Sequence, residues 1–145
     1  MIRLSVPGTL PHRDLVLRVV ASSCKLLRSQ RAKTQETGRS EHHDFDNEVV
    51  SAVGEVFNNI AIHGYAGGVA GNVEIEIQIE ESGLVLRLAD TGKSFDLLAD
   101  TAATLPNLPE SHMGLFIVRS FMDEVRYEVG NGSGKPNVLT LTKRY

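Results

Sequence analysis

Three side chains capable of chemistry recur at four-residue spacing near the middle of the chain. Glu55, Asn59 and His63 place a carboxylate, a carboxamide and an imidazole at positions i, i+4 and i+8. These positions share one stripe of an α-helix, so the three side chains could line one wall of a site. A carboxylate can act as a general base, and a carboxamide oxygen can bind Mg2+. The adjacent Asn58 points roughly 100° away from Asn59 and is not expected to take part. An ordinary solvated helix is the alternative interpretation.

An acidic residue and a glycine follow directly after an apolar segment further along the chain. Residues 84–89 read Leu-Val-Leu-Arg-Leu-Ala, and Asp90, Thr91 and Gly92 come next, with Phe95 shortly after. The apolar segment predicts a buried strand that carries Asp90 into a turn. Taken alone, an Asp-x-Gly sequence is more often an ordinary β-turn, so this motif needs support from the rest of the chain.

A third motif combines a glycine with the start of a predicted helix. It reads Ser111-His112-Met113-Gly114-Leu115-Phe116, with Met122-Asp123-Glu124-Val125 after it. In this order and at this spacing, the three motifs resemble those of the anti-sigma-factor serine/threonine protein kinases. This family lies within the GHKL ATPase superfamily, which includes type II topoisomerases, histidine kinases and MutL. The family pattern E-x-x-x-N-x-x-x-H-x-Y is matched from Glu55 to Tyr65, and D-x-G-x-x-F from Asp90 to Phe95.

The resemblance implies a site for ATP and Mg2+. Asn59 would bind the Mg2+ ion that bridges the phosphates, and Glu55 would act near the γ-phosphate as general base toward a serine hydroxyl. His63 would contact phosphate or the ribose side, although a structural hydrogen bond at the helix end explains it equally well. Asp90 would accept the exocyclic amino group of adenine, and Gly92 would let the backbone approach the base.

The third motif would bind the triphosphate through backbone N–H groups at the start of a helix. These groups belong to Met113, Gly114 and Leu115. The family usually has glycine where this chain has His112, whose side chain could contact phosphate or restrict the ATP lid. Residues 97–111 contain no Lys or Arg, so the lid offers no permanent positive charge. Phosphoryl transfer is therefore less strongly implied than nucleotide binding.

The resemblance further implies a bacterial anti-sigma factor that is also an ATP-dependent protein kinase. Its substrate would be a serine of a small anti-anti-sigma partner of the STAS type, and its other partner a sigma factor or an equivalent regulator. Arg18 approximates a family arginine that contacts partner proteins, with a solvated arginine as the alternative. Family members pair as homodimers through a sheet edge and the first helix, and that edge corresponds here to Ile2–Val6.

Other functions fit parts of the sequence. A regulator that retains nucleotide, or only the fold, could sequester a protein partner without phosphoryl transfer, which His112 and the lid without Lys or Arg favour. The detached ATP-binding part of a histidine kinase is less favoured, since the chain has no helix pair that carries a phosphoacceptor histidine. A metal site at His42, His43 and Asp44 is the least favoured, because adjacent residues rarely converge on one ion.

The elements that would position these motifs follow from hydrophobic periodicity. Ile2–Val6 alternates apolar and polar residues as an edge strand does, and a helix begins near Pro11. The buried side of that helix is predicted to comprise Leu15, Val16, Val19, Val20, Leu26 and Leu27. A polar, mobile connection is predicted at about 29–45. Asp46 would N-cap the second helix, which would end near Tyr65–Gly68.

Strands and a lid are predicted in the second half of the chain. Val73–Ile79 alternates β-branched residues with Glu and Gln, and a Ser82-Gly83 turn leads into the strand at 84–89. The remaining elements are an ATP lid at about 97–112, a helix at 114–122 and strands at 124–129 and 138–142. Two or three helices over one face of a mixed, mostly antiparallel sheet make an α/β (α+β) two-layer sandwich, the Bergerat-type ATP-binding fold. A final-strand threonine often helps to hold adenine in this superfamily, but neither Thr140 nor Thr142 aligns with it clearly.

The composition limits the functional classes. The 145 residues carry a formal net charge of −3 and a sequence pI near 5.9, which argues against direct binding of nucleic acid or an anionic membrane. The length suits one ATPase domain, residues 1–145, with one core. No apolar run approaches the roughly 20 residues that span a bilayer, and no secretion signal opens the chain, so we expect a cytoplasmic protein. The single Cys24 lies in an apolar stretch and is expected to be buried rather than catalytic.

Overall fold

The structure, a computed structural model, describes residues 1–32, 42–95, 110–132 and 134–145. Its elements are β1 Ile2–Pro7, α1 Arg13–Ala32, α2 His42–Asn59, β2 Asn72–Glu80, β3 Gly83–Asp90, α3 Glu110–Phe121, β4 Glu124–Glu128 and β5 Asn137–Arg144. A short 3-10 turn, Leu10–His12, leads into α1, and a π-helical turn, Ile60–Gly64, continues α2. None of the helices in these ranges is both long enough and apolar enough to cross a membrane.

The five strands form one sheet in the order β1-β2-β3-β5-β4. All four pairings are antiparallel. The predicted α+β two-layer fold is confirmed, but the sheet is fully antiparallel over the described residues rather than mixed. The physical reason is that β2 and β3, and likewise β4 and β5, are joined by short connections, which favour antiparallel neighbours.

The core lies between the three helices and one face of the sheet. Val73, Ile75 and Ile77 of β2 are at most 1% exposed, whereas the glutamates between them point to the other face. On β3 the same alternation buries Leu84, Leu86 and Leu88. Each such side chain contributes about 1.5–3 kcal/mol when it leaves water. The period-two prediction for β2 is confirmed, and the predicted burial of β3 holds for one face of that strand.

Helix α1 buries a narrower stripe than the sequence predicted. Val16, Val20 and Leu27 are buried, as predicted, together with Cys24. Leu15 and Leu26 are 49% and 50% exposed, so their predicted burial is wrong. The buried residues recur at i, i+4, i+8 and i+11, which form one stripe along the helix. Leu15 and Leu26 lie next to that stripe and face away from the sheet.

The start of α2 also differs from the prediction. The helix begins at His42, so Asp46 lies inside it and is not its N-cap. The Asp46 carboxylate instead pairs with the Arg28 guanidinium on α1, a contact that local sequence does not reveal. Helical residues therefore occupy both ends of the connection predicted at 29–45. The rest of it, 33–41, lies outside the described residues, as does most of the predicted lid, 96–109.

Candidate functional site

Helix α2 supplies the first two residues of the site. Glu55 and Asn59 are both half-buried, one turn apart near the C-terminal end of the helix. The helix then widens into the π turn, where the Tyr65 N–H donates to the Ile60 carbonyl, five residues back, at 3.1 Å. A π turn takes more than four residues, so His63 does not lie in the stripe predicted to contain it with Glu55 and Asn59. The His63 side chain is exposed.

The backbone of the turn after β3 contacts the backbone at the end of this helix. The Lys93 N–H donates to the Gly64 carbonyl at 2.6 Å. A Cβ on Gly92 would lie 2.6 Å from the same carbonyl oxygen, closer than real contacts allow. Glycine at 92 is therefore required by a neighbour within the protein, in addition to any ligand. This close approach brings the first and second motifs together.

Asp90 ends β3 as the buried acid of the site, with 3% of its surface exposed. Its Oδ1 accepts the Gly92 N–H at 2.9 Å and the Asn137 side-chain amide at 3.2 Å. Among the residues that the structure describes, none donates a hydrogen bond to Oδ2. Burial raises the pKa of Asp90 above its ordinary value of 3.8, and the two hydrogen bonds to Oδ1 oppose that rise.

Asn137 is the site residue that the sequence analysis missed. It opens β5 directly opposite Asp90, is 3% exposed, and donates a second hydrogen bond to the Gly92 carbonyl at 2.8 Å. The β3–β5 pairing joins residues far apart in the chain, so no local pattern identifies this position. Thr140 and Thr142 lie on the other face of β5, away from the buried Leu139 and Leu141, and neither approaches Asp90.

Two tyrosines brace the turn that follows Asp90. The Tyr65 hydroxyl accepts the Thr91 N–H at 3.1 Å, which gives the last residue of the first motif a structural role. The Tyr127 ring of β4 stacks on Phe95 with centroids 4.4 Å apart, and its hydroxyl accepts the Phe95 N–H at 3.4 Å. Phe95 is half-buried against the core. Burial raises the pKa of Tyr127, and the nearby Asp90 charge adds to the rise.

The third motif meets the first at Gly114. A Cβ there would lie 2.7 Å from Glu55 Oε2, so the carboxylate packs directly against α3. Helix α3 begins at Glu110, four residues before the predicted start, and Gly114 and Leu115 therefore lie in its second turn. Their N–H groups bond within the helix. The prediction that these two residues offer free donors to the triphosphate is therefore wrong. Met113 closes the first turn; its side chain and that of His112 lie outside the described part.

Three further predictions concern residues away from this cluster. Arg18 is exposed on α1 and pairs with Asp14 at 2.8 Å, an exposed ion pair of the kind that contributes little and breaks easily. Cys24 is fully buried, as predicted, and burial raises the pKa of its thiol to about 12. No group of three potential metal ligands occurs among the described residues, which exclude the side chains of His42 and His43.

Comparison with known proteins agrees with this geometry. The model of the histidine kinase-like ATPase domain matches residues 10–143. The chain belongs to this family. The anti-sigma F factor of Clostridium beijerinckii is 37% identical over 93 residues, which are 60% of this chain and 65% of that protein. The anti-sigma F factor of Bacillus thuringiensis is 35% identical over 100 residues, 66% of this chain and 67% of that protein. The predicted membership in the anti-sigma-factor kinase family is thereby confirmed.

A solved structure supports the fold alone. The histidine kinase domain of the Erythrobacter litoralis EL346 blue-light activated histidine kinase superposes with a TM-score of 0.51 at 18% identity. The match covers 70% of this chain and 45% of that one. The chain spans about two thirds of the length of the family relatives it matches, so activity and partners are matters for proposal.

Proposed function

We propose that the protein is a cytoplasmic anti-sigma factor that binds ATP and Mg2+ and phosphorylates a serine of a STAS-type anti-anti-sigma partner. The observation that carries the proposal is the buried Asp90 carboxylate, which has one oxygen held by the protein and no described donor on the other. In a histidine kinase-like ATPase, a carboxylate oxygen that has no described donor and lies beside a glycine turn is a feature that adenine complements.

The base would be recognised at Asp90. The exocyclic amino group of adenine donates hydrogen bonds, and Oδ2 of the ionised carboxylate would accept one. Guanine carries a carbonyl oxygen at the equivalent ring position, which would repel the carboxylate. Glycine at 92 adds no side chain to the turn beside Asp90, and this fits the close approach of a flat purine.

The phosphates would lie toward Asn59 and the start of α3. The Asn59 carboxamide oxygen would hold Mg2+, which, when bound, neutralises charge on the phosphates. The first-turn N–H groups of α3 up to Met113 would bind phosphate oxygens, with His112 and the exposed His63 as further contacts. Glu55, packed on Gly114, would accept the proton of the attacking serine hydroxyl.

Phosphorylation would work as a switch between partners. A phosphoserine carries a charge of about −1.5 to −2 at neutral pH, which disrupts an interface built for a neutral hydroxyl. The released protein would then hold a sigma factor or an equivalent regulator. The exposed Arg18 would contact such partners once its weak pair with Asp14 breaks, and a homodimer would present two copies of that surface.

A regulator without phosphoryl transfer is the second candidate. It is favoured by the absence of Lys and Arg from residues 97–111, which leaves the lid without a cation for the transferred group. Both candidates require nucleotide binding at Asp90, and they differ at Glu55. That residue therefore provides the test.

Glu55→Gln is expected to abolish phosphoryl transfer and to preserve ATP affinity within a few-fold. A general base typically contributes about 10²–10⁴-fold in rate, and the neutral amide keeps the size of the side chain against Gly114. The measurement is transfer of labelled γ-phosphate to the serine of the cognate STAS-type protein, with ATP affinity by calorimetry in parallel. Glu81→Gln, at an exposed turn, is the matched control and should behave as wild type.

Two outcomes separate the candidates. If wild-type protein binds ATP and its partner but forms no phosphoserine, the kinase proposal fails and the non-catalytic regulator replaces it. If Glu55→Gln transfers phosphate at the wild-type rate, Glu55 is not the general base.

A further inference from the structure

Asn137 lies outside the three motifs, yet its side chain makes three hydrogen bonds at the site. Its Nδ2 donates to Asp90 Oδ1 at 3.2 Å and to the Gly92 carbonyl at 2.8 Å, and its Oδ1 accepts the Gly130 N–H at 2.8 Å. We propose that Asn137 is a positioning residue that locks Asp90 and Gly92 in the geometry that recognises adenine. This inference rests on the proposed function.

The hydrogen bonds identify asparagine as the residue that the position requires. Nδ2 has two N–H donors and faces two acceptors, while Oδ1 faces one backbone donor, so the amide has one satisfactory orientation. A carboxylate at 137 would place oxygen against both Asp90 Oδ1 and the Gly92 carbonyl. An apolar side chain would leave the Gly130 N–H and the Gly92 carbonyl without a partner in a buried place.

The position of these bonds explains how Asn137 could act without touching the ligand. Asp90 and Asn137 are direct cross-strand partners on β3 and β5, and Gly130 lies in the connection between β4 and β5. One side chain thus joins the end of β3, the glycine turn after it and the neighbouring hairpin. Neither of the two hydrogen bonds that Asn137 Nδ2 donates uses Oδ2 of Asp90. Oδ2 therefore remains open to a ligand.

Removal of Asn137 should change the ionisation of Asp90 in a definite direction. The Asn137 amide stabilises the ionised carboxylate and opposes the effect of burial, so its loss should raise the pKa of Asp90 further. Protonated Asp90 would be a poorer acceptor for the adenine amino group. The titratable groups near Asp90 include Tyr127 on β4, whose pKa the Asp90 charge raises, and Lys93 in the same turn, and both are unchanged in the variants below.

The test combines the apo protein and its complex with ATP. The pKa of Asp90 is measured by carboxyl carbon NMR without nucleotide, and the Kd of ATP is measured between pH 5 and 8. Asn137→Ala should titrate at higher pH and bind ATP about tenfold more weakly at neutral pH, with a larger loss at low pH. Asn137→Asp has nearly the same volume, so it tests the donor even if Asn137→Ala folds poorly, and it should raise the midpoint further. Thr140→Ala, on the outer face of the same strand, should match wild type.

Each result decides the proposal. Unchanged Asp90 titration and ATP affinity in both variants would overturn it, and so would an affinity loss that is equal at every pH and follows a lower melting temperature. If wild-type protein binds no ATP while Asn137→Ala still shifts the Asp90 midpoint, the proposed function fails and the recognition role falls with it. The apo titration thus separates failure of nucleotide binding from failure of the positioning contact.

Discussion

At Asp90 a single side chain combines burial, charge and an unused acceptor. Most buried carboxylates are either paired with a cation or neutralised, because burial of an unpaired charge is costly. Among the described residues, Asp90 has no cationic partner. Its described hydrogen bonds are the two that Oδ1 accepts. The folded state therefore carries a cost at this residue, and a ligand donor would relieve it.

Asp90→Asn is expected to stabilise the free protein at neutral pH and to abolish ATP binding. The folded pKa of Asp90 lies above its ordinary 3.8, so its unfavourable contribution is absent below pH 3.8, grows between pH 3.8 and the folded pKa, and is constant at higher pH. Asparagine keeps Oδ1 as an acceptor but carries no charge. Urea unfolding at pH 7 should give the variant the higher free energy of unfolding, with the gap closing near pH 3.5. A variant less stable than wild type at pH 7 would contradict this account.

At the scale of elements, one lysine joins α2, α3 and the sheet. Lys143 of β5 is 14% exposed, and its Nζ donates to Glu48 of α2 and to the Phe121 carbonyl at the C-terminal end of α3. A cation at a helix C-terminus complements the helix dipole and satisfies a carbonyl that the helix itself leaves free. This contact anchors the helix that carries Gly114 against Glu55.

Lys143→Met is expected to lower the free energy of unfolding by about 1–3 kcal/mol, since it leaves Glu48 and the Phe121 carbonyl unpaired in a mostly buried place. The adjacent Arg144 pairs with Glu124 at the surface, where both side chains are more than a third exposed. Arg144→Met should therefore cost clearly less than Lys143→Met. Chemical denaturation of both variants measures the difference, and equal losses would show that the Lys143 contact is no stronger than a surface pair.

At the scale of the whole molecule, Cys24 reports on global unfolding. It lies at 0% exposure inside the layer between α1 and the sheet, and burial is the main reason that the pKa of its thiol rises from 9.0 to about 12. The thiol can ionise easily only after the two layers separate. Stability should therefore depend on pH through this residue above pH 9.

Cys24→Ala should lose less stability in alkaline solution than wild type. Below pH 9 both folded and unfolded states keep the thiol protonated, so only a constant offset from the small cavity separates the two proteins. Between pH 9 and 12 the unfolded thiol ionises and the folded one does not, which lowers wild-type stability by about 1.4 kcal/mol per pH unit. Urea unfolding at pH 8 and pH 10 measures the change. A constant difference between the proteins at both pH values would refute the burial argument.

Prediction from sequence succeeded where a feature depends on the spacing of residues within one segment. The alternation along β2 and the one-turn spacing of Glu55 and Asn59 depend on the periods of strand and helix, which a single segment reveals. The buried state of Cys24 followed from its apolar neighbours. The three motifs also identified the family, because their order and spacing survive in the sequence itself.

Prediction failed where the partner of a residue comes from another element. Asp46 looks like a helix cap until the Arg28 guanidinium of α1 is placed beside it. The first turn of α3 falls before Gly114, in residues whose own sequence contains no strong helix period. Leu15 and Leu26 have the right residue type for a core, but the sheet covers only the stripe beside them.

The amino-acid sequence by itself determined the secondary-structure periods, the family and the three motifs of the candidate nucleotide site. Only the tertiary structure decided that Asn137 would meet Asp90, 47 residues away, and that Gly92 would press on the Gly64 carbonyl. The physical reason is that periodicity is a property of one segment, whereas the hydrogen bonds of a buried carboxylate depend on which strands pair.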